Sequence, residues 1–239
     1  MPANRALRDD DASRWAAQVS HQVINNERRR DPRLPYFLMC ERLNEKALAD
    51  LSAGYYFRNC RPDELELWKA FPFDSDTVPI EYEDMMNQFI HDTYRGDMET
   101  FFQNTLLVCN EQGIPVATCS YWKAYGKLNT IHWLKTLKAH EGKGIGRAVL
   151  SAIMRRFESD DYPVYLHTQP GSFRAIKLYT DFGFQLLRGG QLGTRINELE
   201  QCLPILEEFM PKKDFERLKI IDTPADLIEL LKIERTIQF

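Results

Sequence analysis

Thr168–Leu187 reads TQPGSFRAIKLYTDFGFQLL. This pattern predicts a helix over Ser172–Phe182, stopped by Gly183 and followed by a short apolar strand, FQLL. The preceding residues, Tyr162–Thr168 (YPVYLHT), read as a strand. Some thirty residues upstream lies a second informative stretch, Lys138–Phe157, KAHEGKGIGRAVLSAIMRRF. Three glycines alternate there, Gly142, Gly144 and Gly146, and an apolar-periodic helix begins at once.

Bare backbone at the mouth of a helix lets N–H groups converge on an anion, which the helix dipole also favours. Two familiar phosphate loops are excluded. A Walker loop needs GxxxxGK followed by Ser or Thr, and Gly142–Arg147 does not supply it. A dinucleotide loop needs GxGxxG after a parallel strand, but position 147 is Arg and the strand before the loop ends an antiparallel run. The loop by itself leaves two readings open: an anion cradle, or a tight strand-to-helix turn. Lys143 and Arg147 add local positive charge.

The rest of the chain supplies context. Tyr55–Cys60 reads as a strand, and helices are predicted from Arg61 to Phe71 and from Tyr82 to Tyr94. Thr105–Asn110 and Pro115–Trp122 form a hairpin, and Asn129–Lys138 adds a third antiparallel strand. Helical spacing also predicts helices near Trp15–Ile24 and over Tyr36–Leu51. The tail from Asn197 reads as mostly helical, with a strand in 215–222. The fold class is therefore α+β.

Within this order of elements, Glu141-Gly142-Lys143-Gly144-Ile145-Gly146 and Ser172–Phe184 together resemble the GNAT superfamily of N-acetyltransferases. That family carries a Q/R-x-x-G-x-G/A loop and then an N-x-x-A-x-x-L/I-Y-x-x-x-G-F segment. The resemblance covers about residues 55–187 and implies a GNAT fold. Such a fold has a mixed central sheet of six to seven strands, splayed between the fourth and fifth and flanked by helices. The expected organisation is a helical N-terminal extension (1–53), an acetyltransferase domain (54–188) and a mostly helical C-terminal extension (189–239). Three positions depart from the pattern. Glu141 replaces Gln or Arg, so its carboxylate is expected to turn away from a pyrophosphate. Ser172 replaces Asn as helix cap, and Lys138 stands in place of a proline.

The resemblance implies acetyl-coenzyme A as co-substrate, with no metal. Its pyrophosphate would rest on Glu141, Gly142, Lys143, Gly144, Ile145, Gly146 and Arg147. Its pantetheine arm would pair with Leu134, Lys135 and Thr136, and contact Ser172, Ala175 and Tyr179. Tyr179 occupies the position of a proton donor to the departing thiolate. Acyl transfer to an amine needs a neutral nucleophile, and an alkylammonium is neutral only about one part in 2,500 at pH 7. A base is therefore useful. Strand alternation puts His132 on the side of Leu134 and Thr136, which makes it the candidate, with His167 behind it. Tyr121, Trp122, Tyr125 and Trp133 are candidate walls for an acceptor pocket or plain core.

Composition sets wider limits. Apolar residues make up 44% and charged residues 28%, with a net charge of −4, so nothing points to nucleic acid. No apolar run is long enough for a membrane span, and the polar N-terminus lacks a signal-peptide core. Five dispersed cysteines suggest reduced thiols and a cytoplasmic setting. The expected function is transfer of acetyl from acetyl-coenzyme A to a small-molecule primary amine in a ternary complex. The competing expectation is a non-catalytic acyl-coenzyme A sensor. A homodimer is compatible with either.

Overall fold

Residues 34–238 are described by a computed structural model of the chain. The helix expected near Trp15–Ile24 lies outside them. The first described element corrects an expectation. Tyr36–Cys40 is not helix but strand β1, and all five of its residues are buried. Phe37, Cys40, Leu43, Ala47 and Leu51 imitate helical spacing. However, YFLMC is a continuous apolar run, which suits a strand covered on both faces. Tyr36, Leu38 and Cys40 enter one core cluster, and Phe37 and Met39 the other.

The remaining strands are β2 (Tyr55–Asn59), β3 (Thr105–Asn110), β4 (Pro115–Ala124), β5 (Leu128–Thr136), β6 (Val164–Thr168), β7 (Gln185–Arg188), β8 (Gln191–Leu192), β9 (Arg195–Ile196) and β10 (Ile220–Asp222). Eight of them form one mixed sheet in the order β10-β7-β1-β6-β5-β4-β3-β2, and β8 pairs with β9. Against the expected six to seven strands the sheet has eight: β1, not foreseen as a strand, is central, while β10 falls within the expected 215–222 and lies parallel to β7 at an edge.

Helices cover both faces. On one side, α4 (Ile145–Met154), α5 (Phe173–Asp181) and α6 (Leu199–Phe209) bury Val149, Leu150, Ile153, Ile176, Cys202 and Leu206 against the sheet. On the other side lie α1 (Leu65–Ala70), α2 (Ile80–Thr93) and α3 (Met98–Asn104), contributing Trp68, Met86, Ile90 and Phe101. After the short α7 (Lys212–Phe215), α8 (Ala225–Leu231) packs Leu227 and Leu231 under β1 and β7. Among the described residues no helix is long and apolar enough to cross a membrane.

The sheet parts between β5 and β6. Their parallel pairing is limited to Asn129 with Val164 and Thr130 with Tyr165. Beyond those pairs β5 stays with β4 as far as Thr136, while β6 stays with β1 as far as Thr168. A bulge accompanies the parting. Ser120 faces His132 and Thr118 faces Lys135, so β5 uses three steps where β4 uses two. Trp133 takes a left-handed φ of 52° there. The bulge reverses the alternation, so the expected shared parity of His132 with Leu134 and Thr136 does not hold.

His132 is instead a core group. Its Nδ1 lies 2.5 Å from the Tyr94 hydroxyl and its Nε2 lies 2.9 Å from Thr130 Oγ1. Thr130 Oγ1 donates to the Trp122 carbonyl, so it accepts from Nε2–H, and Nδ1 accepts from Tyr94. Burial pushes the imidazole pKa down to about 3. Between that value and the ordinary value near 6.5, only the unfolded chain binds the proton, so stability is lost as pH falls below about 6.5. The slope is about 1.4 kcal/mol per pH unit.

The segment Tyr179–Phe184 is a helix stop of Schellman type. Phe184 N–H donates to the Tyr179 carbonyl and Gly183 N–H to the Thr180 carbonyl, while the Phe184 ring packs against Tyr179 at 5.9 Å. Gly183 has φ 103°, and a Cβ on it would lie 2.6 Å from the Arg42 carbonyl oxygen.

Two outcomes follow. Gly183→Ala should lower unfolding stability by about 3 kcal/mol, combining backbone strain and overpacking, as read from a urea midpoint. Between pH 7.5 and 5.0 the wild type should lose about 2 kcal/mol more than His132→Gln, which starts less stable but has a flatter pH profile.

Candidate active site

The parting of the sheet is lined on its α4–α5 side by a groove of about 870 Å³. One wall is Leu134, Lys135 and Thr136 of β5. The other is Ser172 of the preceding turn with Ala175 and Leu178 of α5, and the loop Glu141–Gly146 closes one end. Gly142 and Gly144 have φ of 76° and 78°, which L side chains rarely adopt, and a Cβ on either would meet nothing within 4 Å. This turn delivers the chain into α4, whose first intrahelical bond is Ala148 N–H to the Gly144 carbonyl. The amides of Ile145, Gly146 and Arg147 precede it and have no acceptor within the helix. Gly146 packs where a Cβ would come within 3.3 Å of Thr136 Oγ1. The loop is therefore open toward the groove and tight against β5, which fits a diphosphate better than a side-chain-filled turn would.

The charged candidates are arranged differently from expectation. Glu141 does not turn away. It lines the groove, and Arg174 at the start of α5 donates to its Oε2 at 2.6 Å. This exposed pair offsets part of the repulsion a bare carboxylate would offer an anion. Lys143 turns toward Tyr55, 3.4 Å from its hydroxyl, and does not line the groove. Lys135 is held by Asp74 Oδ2 at 2.5 Å, and Asp74 Oδ1 also accepts from Lys138 N–H. Burial works against the Asp74 charge, but Lys135 outweighs it and holds the carboxyl below its usual range. The Arg147 guanidinium points to Asp181 and the Ala47 carbonyl, so this residue reaches the groove without a free charge. Asp181, likewise opposed by burial, is lowered by Lys177 and Arg147. Ser172 does not cap α5. It sits in the turn Pro170–Ser172 with φ −91° and ψ 31°, rather than the extended backbone of an N-cap. Its hydroxyl has no partner among the described residues.

A second cavity of about 410 Å³ opens on the α2 side of the parting. It meets the groove at Leu134, Ser172 and Ala175, which line both. Tyr179 is at this junction and lines the second cavity, not the groove. Its hydroxyl has no hydrogen bond among the described residues, and burial raises its pKa far above the usual phenol value. It is protonated at every physiological pH. His132 and Trp133 form part of the wall, with Met85, Met86 and Phe89 of α2 opposite. His167, Arg195 and Ile237 also line it, as do Ile131, Thr168 and Gln169. Both His132 nitrogens are occupied, so it cannot take a proton from a substrate without breaking the Tyr94–His132–Thr130 chain. Of the aromatic candidates, only Trp133 lines the cavity. Tyr121 packs on Phe157, Trp122 on Tyr94, and Tyr125 donates to the Thr236 carbonyl.

Met85, Phe89 and Arg195 escaped sequence reasoning. They carry no motif, and only folding brings α2 and the β8–β9 hairpin to this cavity. Among the described residues no three His, Cys, Asp or Glu side chains gather as a metal site, and the five cysteines are buried, unbonded thiols.

The acetyltransferase (GNAT) family pattern matches residues 65–184. No curated protein matches the chain. Solved structures do. A GCN5-related N-acetyltransferase from Sphaerobacter thermophilus is 20% identical with a TM-score of 0.45, covering 70% of this chain and 53% of that one. A GNAT-family acetyltransferase from Colwellia psychrerythraea is 15% identical with a TM-score of 0.45, covering 64% and 53%. A tandem GNAT protein from the clavulanic acid biosynthesis pathway is 9% identical with a TM-score of 0.49, covering 65% and 51%. The chain thus spans about half the length of these structures. With half of its residues matched by the family pattern, over the strands, glycine turn and helix stop described above, the chain belongs to the GNAT acetyltransferase family.

Proposed function

We propose that the protein transfers an acetyl group from acetyl-coenzyme A to a small primary amine by direct attack in a ternary complex. The observation that carries this reading is the junction of two cavities at Leu134, Ser172 and Ala175, beside a protonated Tyr179 whose hydroxyl has no hydrogen bond among the described residues. A groove with a glycine turn at one end suits a long thiol carrier with a diphosphate, and the second cavity suits its acceptor. Family membership alone does not select the acyl group or the acceptor.

In this reading the α4 amides and the Gly142–Gly144 turn hold the diphosphate, and the β5 backbone beyond Thr130 pairs with the pantetheine amides. The amine enters neutral. The desolvation that lowers His167 acts in the same sense on an ammonium in the same cavity. The amine nitrogen attacks the thioester carbon, so a C–N bond forms and the C–S bond then breaks. Tyr179 gives its proton to the departing sulfur. The proton lost by nitrogen restores the phenol, directly or through water, leaving amide and free thiol. His132 serves as a wall, and no dedicated base is required of it.

Acetyl-coenzyme A at a hundred times its dissociation constant should stabilise the protein by about 2.7 kcal/mol, seen as an upward shift in thermal midpoint. Tyr179→Phe should retain that shift while losing about 10²-fold in kcat for thiol release with an amine panel. No shift at millimolar ligand would refute coenzyme binding. A shift with no thiol release from any amine would replace the transferase with a non-catalytic binder.

A further inference from the structure

The second cavity contains a cation that nothing in the described residues neutralises. Arg195 projects from the two-residue strand β9, and its guanidinium carbon lies 5.3 Å from the centroid of the Phe37 ring. Among the described residues it has no hydrogen bond and no ion pair. The electrostatic influence in favour of its charge comes from the phenol of Tyr125 and not from a carboxylate. Burial weakens its hold on its proton, yet guanidinium stays charged in proteins. A half-buried guanidinium usually has a carboxylate or several carbonyls for its five N–H donors. Here, among the described residues, one π face stands in for all of them, and Arg195 lines the cavity. His167 lines the same cavity and is tilted against the same Phe37 ring, at 6.1 Å between centroids. Burial, and then the Arg195 charge, keep His167 neutral. One of its nitrogens is therefore an N–H donor, and neither has a partner among the described residues.

The geometry points to a carboxylate on the acceptor. We propose that the acceptor is a primary amine carrying a carboxylate, which Arg195 binds with its planar fork and His167 supports with one N–H. The amine then reaches back to the junction near Tyr179. A monoanion matches the single guanidinium, whereas a phosphate dianion would be left half-neutralised in a desolvated site. Met85, Phe89, Trp133 and Ile237 line the same cavity with apolar surface, which suits a carbon skeleton. This inference rests on the transferase reading and narrows it to a substrate class.

The test uses pairs of amines that differ only by the carboxylate: leucine and 3-methylbutylamine, phenylalanine and phenethylamine, 6-aminohexanoate and pentylamine. Acetyl-coenzyme A is the donor and thiol release the readout. At least one carboxylated member should exceed its partner in kcat/KM by tenfold or more. Arg195→Met should then lower kcat/KM for that acid by about 10- to 140-fold, mainly through KM, as expected for loss of hydrogen bonds to a charged group. The same variant should leave the decarboxylated partner within threefold and leave the acetyl-coenzyme A thermal shift intact. Arg195→Lys should recover part of the loss, because charge returns without the fork.

Equal losses for acid and partner would show that Arg195 only supports the fold and would overturn the proposal. So would decarboxylated amines preferred throughout, or the phosphonate analogue of leucine preferred over leucine. If the thermal shift is present but no amine is turned over, calorimetric titration of the acids into the coenzyme complex decides. Arg195-dependent binding supports the proposal, and its absence refutes it. Loss of the thermal shift in the wild type would instead refute the coenzyme reading beneath it.

Discussion

Everything functional in this molecule depends on the sheet failing to close between β5 and β6. A parallel pair buried under helices would ordinarily run its full length, since unpaired backbone in the interior is costly. Here it stops after two pairs, at Thr130 and Tyr165. The bulge at Trp133 explains how β5 departs without leaving its other neighbour. An extra residue bends and twists the strand, and the β4 ladder resumes at Lys135 and Thr136. The same bulge sets Leu134 between the two cavities, where both need a wall. Opening the sheet thus creates two chambers and a single passage, and the backbone freed on the β5 side is the feature that suits an amide-rich carrier.

The open wedge is held by elements at its rim. Asp74 ties Lys135 and the Lys138 amide, fixing the end of β5 beyond the bulge. On the opposite rim the helix stop at Gly183 and Phe184 locks the last turn of α5, and Asn44 adds to it by donating its backbone and side-chain N–H groups to the carbonyls of Phe182 and Asp181. Tyr179 belongs to that last turn. Its position at the junction is therefore a product of the cap chemistry, not of a contact made by its hydroxyl. Exposed ion pairs such as Glu141–Arg174 contribute little to stability. Their effect at the groove is electrostatic, because they set how much charge an incoming anion meets.

What could be read in the sequence follows this division. The glycine turn and the Tyr179–Phe184 stop were legible because each is a local backbone requirement, written in residues that few other conformations demand. The hairpin of β3 and β4 was legible from its turn, and the edge strand β10 fell within the expected 215–222. Tyr36–Cys40 was not legible. Five consecutive apolar residues carry no period, and spacing to Leu43 and Ala47 suggested the wrong one. Its true place, between β6 and β7, depends on partners far along the chain. The parity given to His132 with Leu134 and Thr136 failed for a related reason: parity arguments assume an unbroken ladder, and the bulge lies one residue away. Arg195 could not be found at all, since a two-residue strand has no pattern and its neighbours Phe37 and His167 come from distant segments.

This difference in legibility matches a difference in physical demand. On the proposed reading the wedge has a donor and an acceptor side, and the donor side is built mostly from main chain: amides at a helix start, glycines that admit close approach, and a strand edge. Such a site is encoded by backbone rules and tolerates changes like Glu141, provided another residue answers the charge. The acceptor side is built from side chains on α2, β6 and the β8–β9 hairpin, and its selectivity depends on what they leave unpaired. A partly buried guanidinium with only an aromatic face beside it among the described residues is costly without a further partner. It persists most simply where a ligand of opposite charge completes it, which is why the chemistry of the acceptor is sought at Arg195 and not in the motifs that reveal the family.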